Sequence, residues 1–283
     1  MAEGSITEQE YMDKLEHFVR VRTRQVEASN YQYNLRQFFD AAAVNYRKPE
    51  RGFRTGRKEI IMMKDFTISN MLDLNETIAA ELFEGKTYPW EVLPEIGDFI
   101  IKLGKTLDPS EYEEKGENVW IARSATVAPT ASITGPAIIG RDAEVRHCAF
   151  IRGKAIVGEG AVVGNSTELK NAVLFNKVQV PHYNYVGDAV LGYKSHMGAG
   201  SICSNVKSDK KLVVVKDGDE KIETGLKKFG AMLGDHVEVG CGSVLNPGTV
   251  IGRNSNIYPL SPVRGCVPAD SIYKNAKEIV KKK

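Results

Sequence analysis

The chain has 283 residues, enough for one main domain and a smaller attachment, and a 42% hydrophobic content that can supply a sizeable core. Its 38 basic and 36 acidic residues leave a net charge of +2, which gives no electrostatic case for a nucleic-acid partner. Four scattered cysteines without CxxC spacing read as reduced thiols, no apolar run is long enough to span a bilayer, and the polar N-terminus is unlike a signal peptide, so a cytoplasmic protein is expected.

Residues 1–62 read as a charged, helical appendage. Thr7 and Glu10 form a capping-box pattern, after which Tyr11, Leu15 and Phe18 recur at helical spacing. A second helix is predicted over residues 30–46, ending before Pro49, and the basic, glycine-containing stretch 47–58 reads as a linker. Met62-Met63 precedes what looks like a second beginning, Lys64-Asp65-Phe66-Thr67, so residues 1–62 are expected to be an attachment or an upstream extension. Residues 63–118 carry a predicted helix near 75–84, the aromatic segment Tyr88-Pro89-Trp90 and an apolar stretch over 96–103. They are expected to cap the open end of the solenoid that follows, because terminal units of a repeat need a polar outer surface.

From Ile121 every sixth residue is apolar: Ile121, Val127, Ile133, Ile139, Val145, Ile151, Val157, Val163, Leu169 and Phe175. The pattern returns at Leu233, Val239, Leu245, Ile251, Ile257 and Val263. A period of six is neither helical nor a simple alternation. It describes a short strand followed by a corner, three units to a triangular coil, with the apolar residues stacked inward. The fold class expected is mainly β, a left-handed parallel β-helix over residues 119–270 with a small helical N-terminal region and a helical, basic tail at 271–283. Flat-sided solenoids of this kind assemble as cyclic trimers with ligand sites between subunits, so a homotrimer is expected.

Between Val180 and Leu233 the ladder breaks, first into Pro181-His182-Tyr183-Asn184-Tyr185-Val186-Gly187-Asp188 and then into Gly192-Tyr193-Lys194-Ser195-His196-Met197-Gly198-Ala199-Gly200-Ser201. After Asn205 comes an insertion over about 206–228, where Asp217-Gly218 between two β-prone runs signals a hairpin. A solenoid has no need of His, Tyr, Asn and Lys where its own rule fails, and such local violations mark function.

The stretches 165–170, 182–188 and 198–205 resemble the acetyltransferase domain of bifunctional glucosamine-1-phosphate acetyltransferase/N-acetylglucosamine-1-phosphate uridylyltransferases. Lys228-Phe229-Gly230-Ala231-Met232-Leu233-Gly234-Asp235 is similar to the archaeal sugar-1-phosphate enzymes with the same two activities. The resemblance covers residues 119–270. It implies an acetyltransferase of the hexapeptide-repeat family, with acetyl-CoA as co-substrate and an amino-sugar phosphate as acceptor in nucleotide-sugar metabolism. It further implies His182 as general base, with Tyr185 and Asn205 beside the reacting groups. Arg152, Lys170 and Lys211 would hold the sugar phosphate, and His196 stands where the bacterial enzymes place a substrate-touching asparagine. Ala199, Gly240, Cys241, Tyr258 and Pro259 would lie along the acyl-CoA. Nothing in residues 1–118 resembles the glycine-rich nucleotide loop of the uridylyltransferase half, so nucleotidyltransferase activity is not expected of this chain alone.

The chemistry suits these residue types. An amino sugar arrives largely as an ammonium, and a neutral imidazole can take its proton. Backbone N–H groups at Gly198-Ala199-Gly200 could stabilise an oxyanion, while fixed cations bind phosphate. No metal is required. His147 and His236 read as structural. Two other readings stay open: a non-catalytic trimeric ligand sensor or partner of a separate nucleotidyltransferase, and a zinc hydratase on the same fold, which would need His147, His182 and His196 brought together across a subunit boundary.

Overall fold

The computed structural model describes residues 63–282, and the appendage expected over 1–62 lies outside them. The hexapeptide ladder forms a left-handed parallel β-helix whose three faces are sheets of very short strands. On the first face Ile121 pairs with Ile139 and Ile139 with Val157, each step being three hexapeptides. The second face begins at Thr126–Val127 and the third at Ser132–Ile133, and both climb by the same register.

The register then shortens earlier than the sequence suggests. Val157 pairs with Leu174, and Leu174 with Leu191, so two successive coils each lose one residue. Glu168–Leu174 and Tyr185–Leu191 each run as one seven-residue strand through a corner, turning at Asn171 (φ 51°) and Asp188 (φ 50°). The preceding coil spends two left-handed residues there, Gly153 (φ 90°) and Lys154 (φ 52°). Leu174 rather than Phe175 therefore continues the inward ladder. Phe175 instead turns edge-on to Phe83, with ring centroids 5.6 Å apart.

The first face differs from the others. Its strands Ala137–Ile139, Ala155–Val157 and Ala231–Leu233 are buried at every residue. Alternation points the middle residues, Ile138, Ile156 and Met232, away from the coil interior, yet they are fully buried. The 63–118 segment is what covers them. Its helix α1 (Ile96–Gly104) packs against the first-face strands of three coils, and further along Trp90 meets Phe229. Asp73 N–H and Tyr193 N–H both donate to the buried Asp235 carboxylate, which also accepts from Arg253. The segment thus runs along the flank of the solenoid instead of sealing its end. Only its last strand, Tyr112–Gly116, closes the first coil, antiparallel to Val119–Ala122. The helix predicted near 75–84 is two 3-10 turns, Leu74–Glu76 and Ala80–Phe83.

At the far end the expected helical tail is a hairpin. Ser271–Asn275 extends the second face, and Glu278–Lys281 returns antiparallel to it. The β-prone Ile272-Tyr273 and Ile279-Val280 can pair across that turn, which outweighs the helical reading of the lysines. The predicted inserted hairpin is present as Val214–Asp217 against Glu220–Glu223, with Gly218 at φ 55° in its turn.

Candidate active site

Two corners flanking the third face gather the candidate residues. At the corner between the second and third faces, Cys148, Ser166, Tyr183, Gly200, Gly242 and Leu260 all take left-handed φ between 52° and 71°. The residue before each accepts a hydrogen bond from the next coil: Tyr183 N–H to Asn165 O (2.9 Å), Gly200 N–H to His182 O (3.0 Å), Gly242 N–H to Ala199 O (2.9 Å) and Leu260 N–H to Cys241 O (2.9 Å). His182, Ala199, Cys241 and Pro259 are therefore successive steps of one column. Gly198 and Gly240 let its coils stack closely, since a Cβ on Gly240 would lie 2.4 Å from Pro259 N and one on Gly198 2.7 Å from Cys241 N. Tyr258 and Leu260 stand exposed beside it.

His182 is exposed, and its corner is fixed by the buried Asn184. The Asn184 Oδ1 accepts from His182 N–H (3.2 Å), while its Nδ2 donates to Gly198 O (2.9 Å) and Ser201 Oγ (3.1 Å). One side chain thus locks the histidine's turn to the glycine turn above it. Of the three N–H groups expected to face an oxyanion, Gly198 donates to Val239 O and Gly200 to His182 O. Among the described residues only Ala199 N–H of that turn has no protein acceptor, which narrows the expected triplet to one donor.

Across the third face, the corner that turns at Asp188 holds a second group. Asp188 is 4% exposed and accepts from Asn171 Nδ2 (2.9 Å), Lys170 Nζ (3.2 Å) and Asn205 Nδ2 (2.5 Å). The same Asn205 amide donates to Tyr185 OH at 3.1 Å. Tyr185 folds over Gly187, where an added Cβ would sit 2.5 Å from its hydroxyl. Burial, then the nearby Asp188 charge, pushes the Tyr185 phenol above its ordinary pKa, so it remains a neutral hydroxyl.

Tyr185, Asn205 and Lys170 thus meet, and Arg152 lies beside them through a 2.6 Å bond from Nη1 to Glu168. Lys211 does not join them: it is exposed in the insertion, where its N–H donates to Asp209. His196 does not either. It sits on the second face with Nδ1 2.8 Å from Glu238 Oε2. His147 is bonded to Thr130, and His236 lies edge-on to Tyr193. The residues that sequence reasoning passed over are Asp188 and Asn184. A charged and an amide side chain beside the inward-facing Val186 were the available signal, since polar groups at such depth must be there to bond something.

Residues 133–239 match the family model described as the GMPPB C-terminal domain. A bifunctional protein GlmU of Methanococcus aeolicus is 36% identical over 122 residues, covering 43% of this chain and 29% of that protein. A bifunctional sugar-1-phosphate nucleotidylyltransferase/acetyltransferase of Sulfurisphaera tokodaii is 35% identical over 112 residues, covering 40% and 28%. The similarity to each is confined to the aligned stretch, of 122 and 112 residues. It spans under a third of the length of these two curated relatives. A crystallised perosamine N-acetyltransferase of Caulobacter crescentus, in complex with CoA and GDP-perosamine, aligns over 58% of this chain and 57% of that one, with 16% identity and a TM-score of 0.31. The residues matched by that model include His182, Tyr185, Asp188 and Asn205, whereas Gly240, Cys241, Tyr258 and Pro259 lie beyond them.

Proposed function

We propose that this chain is an acyl-CoA-dependent N-acyltransferase acting on an amino-sugar phosphate in nucleotide-sugar metabolism. The observation that carries the reading is the shared column of His182, Ala199, Cys241 and Pro259, with Tyr185 and Asn205 across the adjoining face. The co-substrate supplies an activated acyl group and a thiol leaving group. The column suits it, since Ala199 offers an unengaged N–H and Tyr258 and Leu260 an exposed apolar ridge.

His182 takes the proton from the acceptor's ammonium, leaving a neutral nucleophilic nitrogen. Ala199 N–H donates to the acyl oxygen as it gains charge. Tyr185 OH and the Asn205 amide, held by Asp188, orient the sugar. The neutral nitrogen attacks the acyl carbon. Collapse of the intermediate breaks the C–S bond, and the protonated His182 gives its proton to the departing thiolate. The neutral imidazole then takes the remaining extra proton from the amide nitrogen and passes it to solvent.

A homotrimer is part of the proposal. Phe150 and Ile202 expose 42% and 37% of their surface on the third face, between the two corners. A second copy covering that face would bury these two side chains, which flank Glu168 and Tyr185, and enclose His182. The test is mass-spectrometric detection of acyl transfer from acetyl-CoA to glucosamine-1-phosphate and to a panel of other amino-sugar phosphates and nucleotide-linked amino sugars. An acylated amine that requires acetyl-CoA supports the reading. Tight acceptor binding with no transfer to any of them would replace it with the ligand-sensor reading.

A further inference from the structure

The cations carried over by resemblance are already engaged. Arg152 is paired with Glu168 at 2.6 Å, and Lys170 with the buried Asp188 at 3.2 Å. An acceptor phosphate placed on them would compete with carboxylates the chain itself supplies. Uncommitted positive charge lies one step further along the solenoid.

There the insertion turns a plain corner into a walled cavity of about 620 Å³. One wall is the stretch around Ser204 and Val206, the residues either side of Asn205, and the others come from the hairpin strand at Lys216 and the later corners at Gly248 and Arg264. Two glycines let the hairpin close on those corners. A Cβ on Gly265 (φ 73°) would lie 2.8 Å from Lys216 O, and one on Gly248 (φ 84°) 2.8 Å from Val213 Cγ1. Lys207, Lys216 and Arg264 line the cavity against one acid, Asp209, which takes Lys207 at 3.3 Å. Among the described residues Lys216 and Arg264 form no ion pair.

We infer that this cavity is a diphosphate-binding site, and that it holds the diphosphate of a nucleotide-linked amino-sugar acceptor. Resting on the acyltransferase reading above, the inference sharpens its substrate class. The volume lies in the range of small-ligand pockets and exceeds what one phosphate fills. Two unpaired cations of different shape suit an extended dianionic group: Arg264 can bind two oxygens in a fork, and Lys216 acts as a point charge. The position beside Asn205 lets an acceptor keep its sugar at Tyr185 and Asn205 while its phosphates reach the hairpin.

The test is calorimetric titration of inorganic diphosphate into the full chain, with and without saturating acetyl-CoA. Diphosphate should bind equally well in both cases, and a double Lys216→Ala/Arg264→Ala variant should bind it at least tenfold more weakly while keeping its affinity for acetyl-CoA. The Arg152→Ala variant should retain diphosphate binding. Displacement of diphosphate by acetyl-CoA would assign the cavity to the acyl donor and overturn the inference. So would undiminished binding in the double variant, or no binding by the wild-type chain. Because no turnover is measured, failure here is distinct from failure of the acyltransferase reading, which the transfer assay judges alone.

Discussion

At the scale of single residues, Asp188 holds the site's shape. A buried carboxylate that accepts from three side chains leaves each of them one partner short when removed. Asp188→Ala is expected to cost roughly 3 kcal/mol, seen as a lowered Tm at fixed protein concentration. Asp188→Asn keeps the volume but sets an amide donor against Asn171 or Asn205 and removes the charge facing Lys170, so it should lower turnover along with Tm; unchanged turnover would contradict a positioning role. The cysteines offer a second reading of the same geometry. Burial pushes the Cys203 thiol up to about 12, so it stays protonated and unreactive, whereas Cys148 and Cys241 are exposed. Limited alkylation followed by peptide mapping should label Cys148 and Cys241 and spare Cys203. Saturating acetyl-CoA should protect Cys241, in the His182 column, and leave Cys148 labelled; equal protection of both would count against the column as the acyl-CoA track.

At the scale of elements, the six-residue period was fully legible because one apolar side chain per strand must point inward at every step. The shortened coils were not, because losing one residue at Asn171 and Asp188 leaves the inward residues apolar and changes only the corner. The flanking position of residues 63–111 was legible in principle. Ile138, Ile156 and Val173 are apolar at outward positions of one face only, a sign of a sheet covered on both sides. Reading inward positions alone missed it. His182, Tyr185 and Asn205 stood out as polar residues in a gap, but the convergence of Lys170 and Asn205 on Asp188 requires knowing which corners stack. The same stacking sets the cost of substitution. A Cβ on Gly164 would lie 1.6 Å from Pro181 O, which cannot be relieved without moving a coil. Gly164→Ala should therefore destabilise by about 3 kcal/mol or more. Ile138→Ala should cost about 2–5 kcal/mol, as cavity formation under the covering segment requires. Thermal or chemical denaturation checks both, and a neutral Ile138→Ala would mean the segment does not cover that face in solution.

At the scale of the whole molecule, a scaffold of regular coils carries the column proposed for the acyl donor at one corner and the polar cluster proposed for the acceptor at the next. The insertion adds a basic cavity on the acceptor side. The proposed reading rests on His182 as the group that receives the amine's proton. The most direct measurement is therefore kcat/KM for acyl transfer by wild-type chain and by His182→Ala, with the best acceptor of the panel and acetyl-CoA binding checked in both. The variant is expected to bind acetyl-CoA normally and to lose about 10²–10⁴-fold in kcat/KM. Undiminished turnover in His182→Ala would contradict the account.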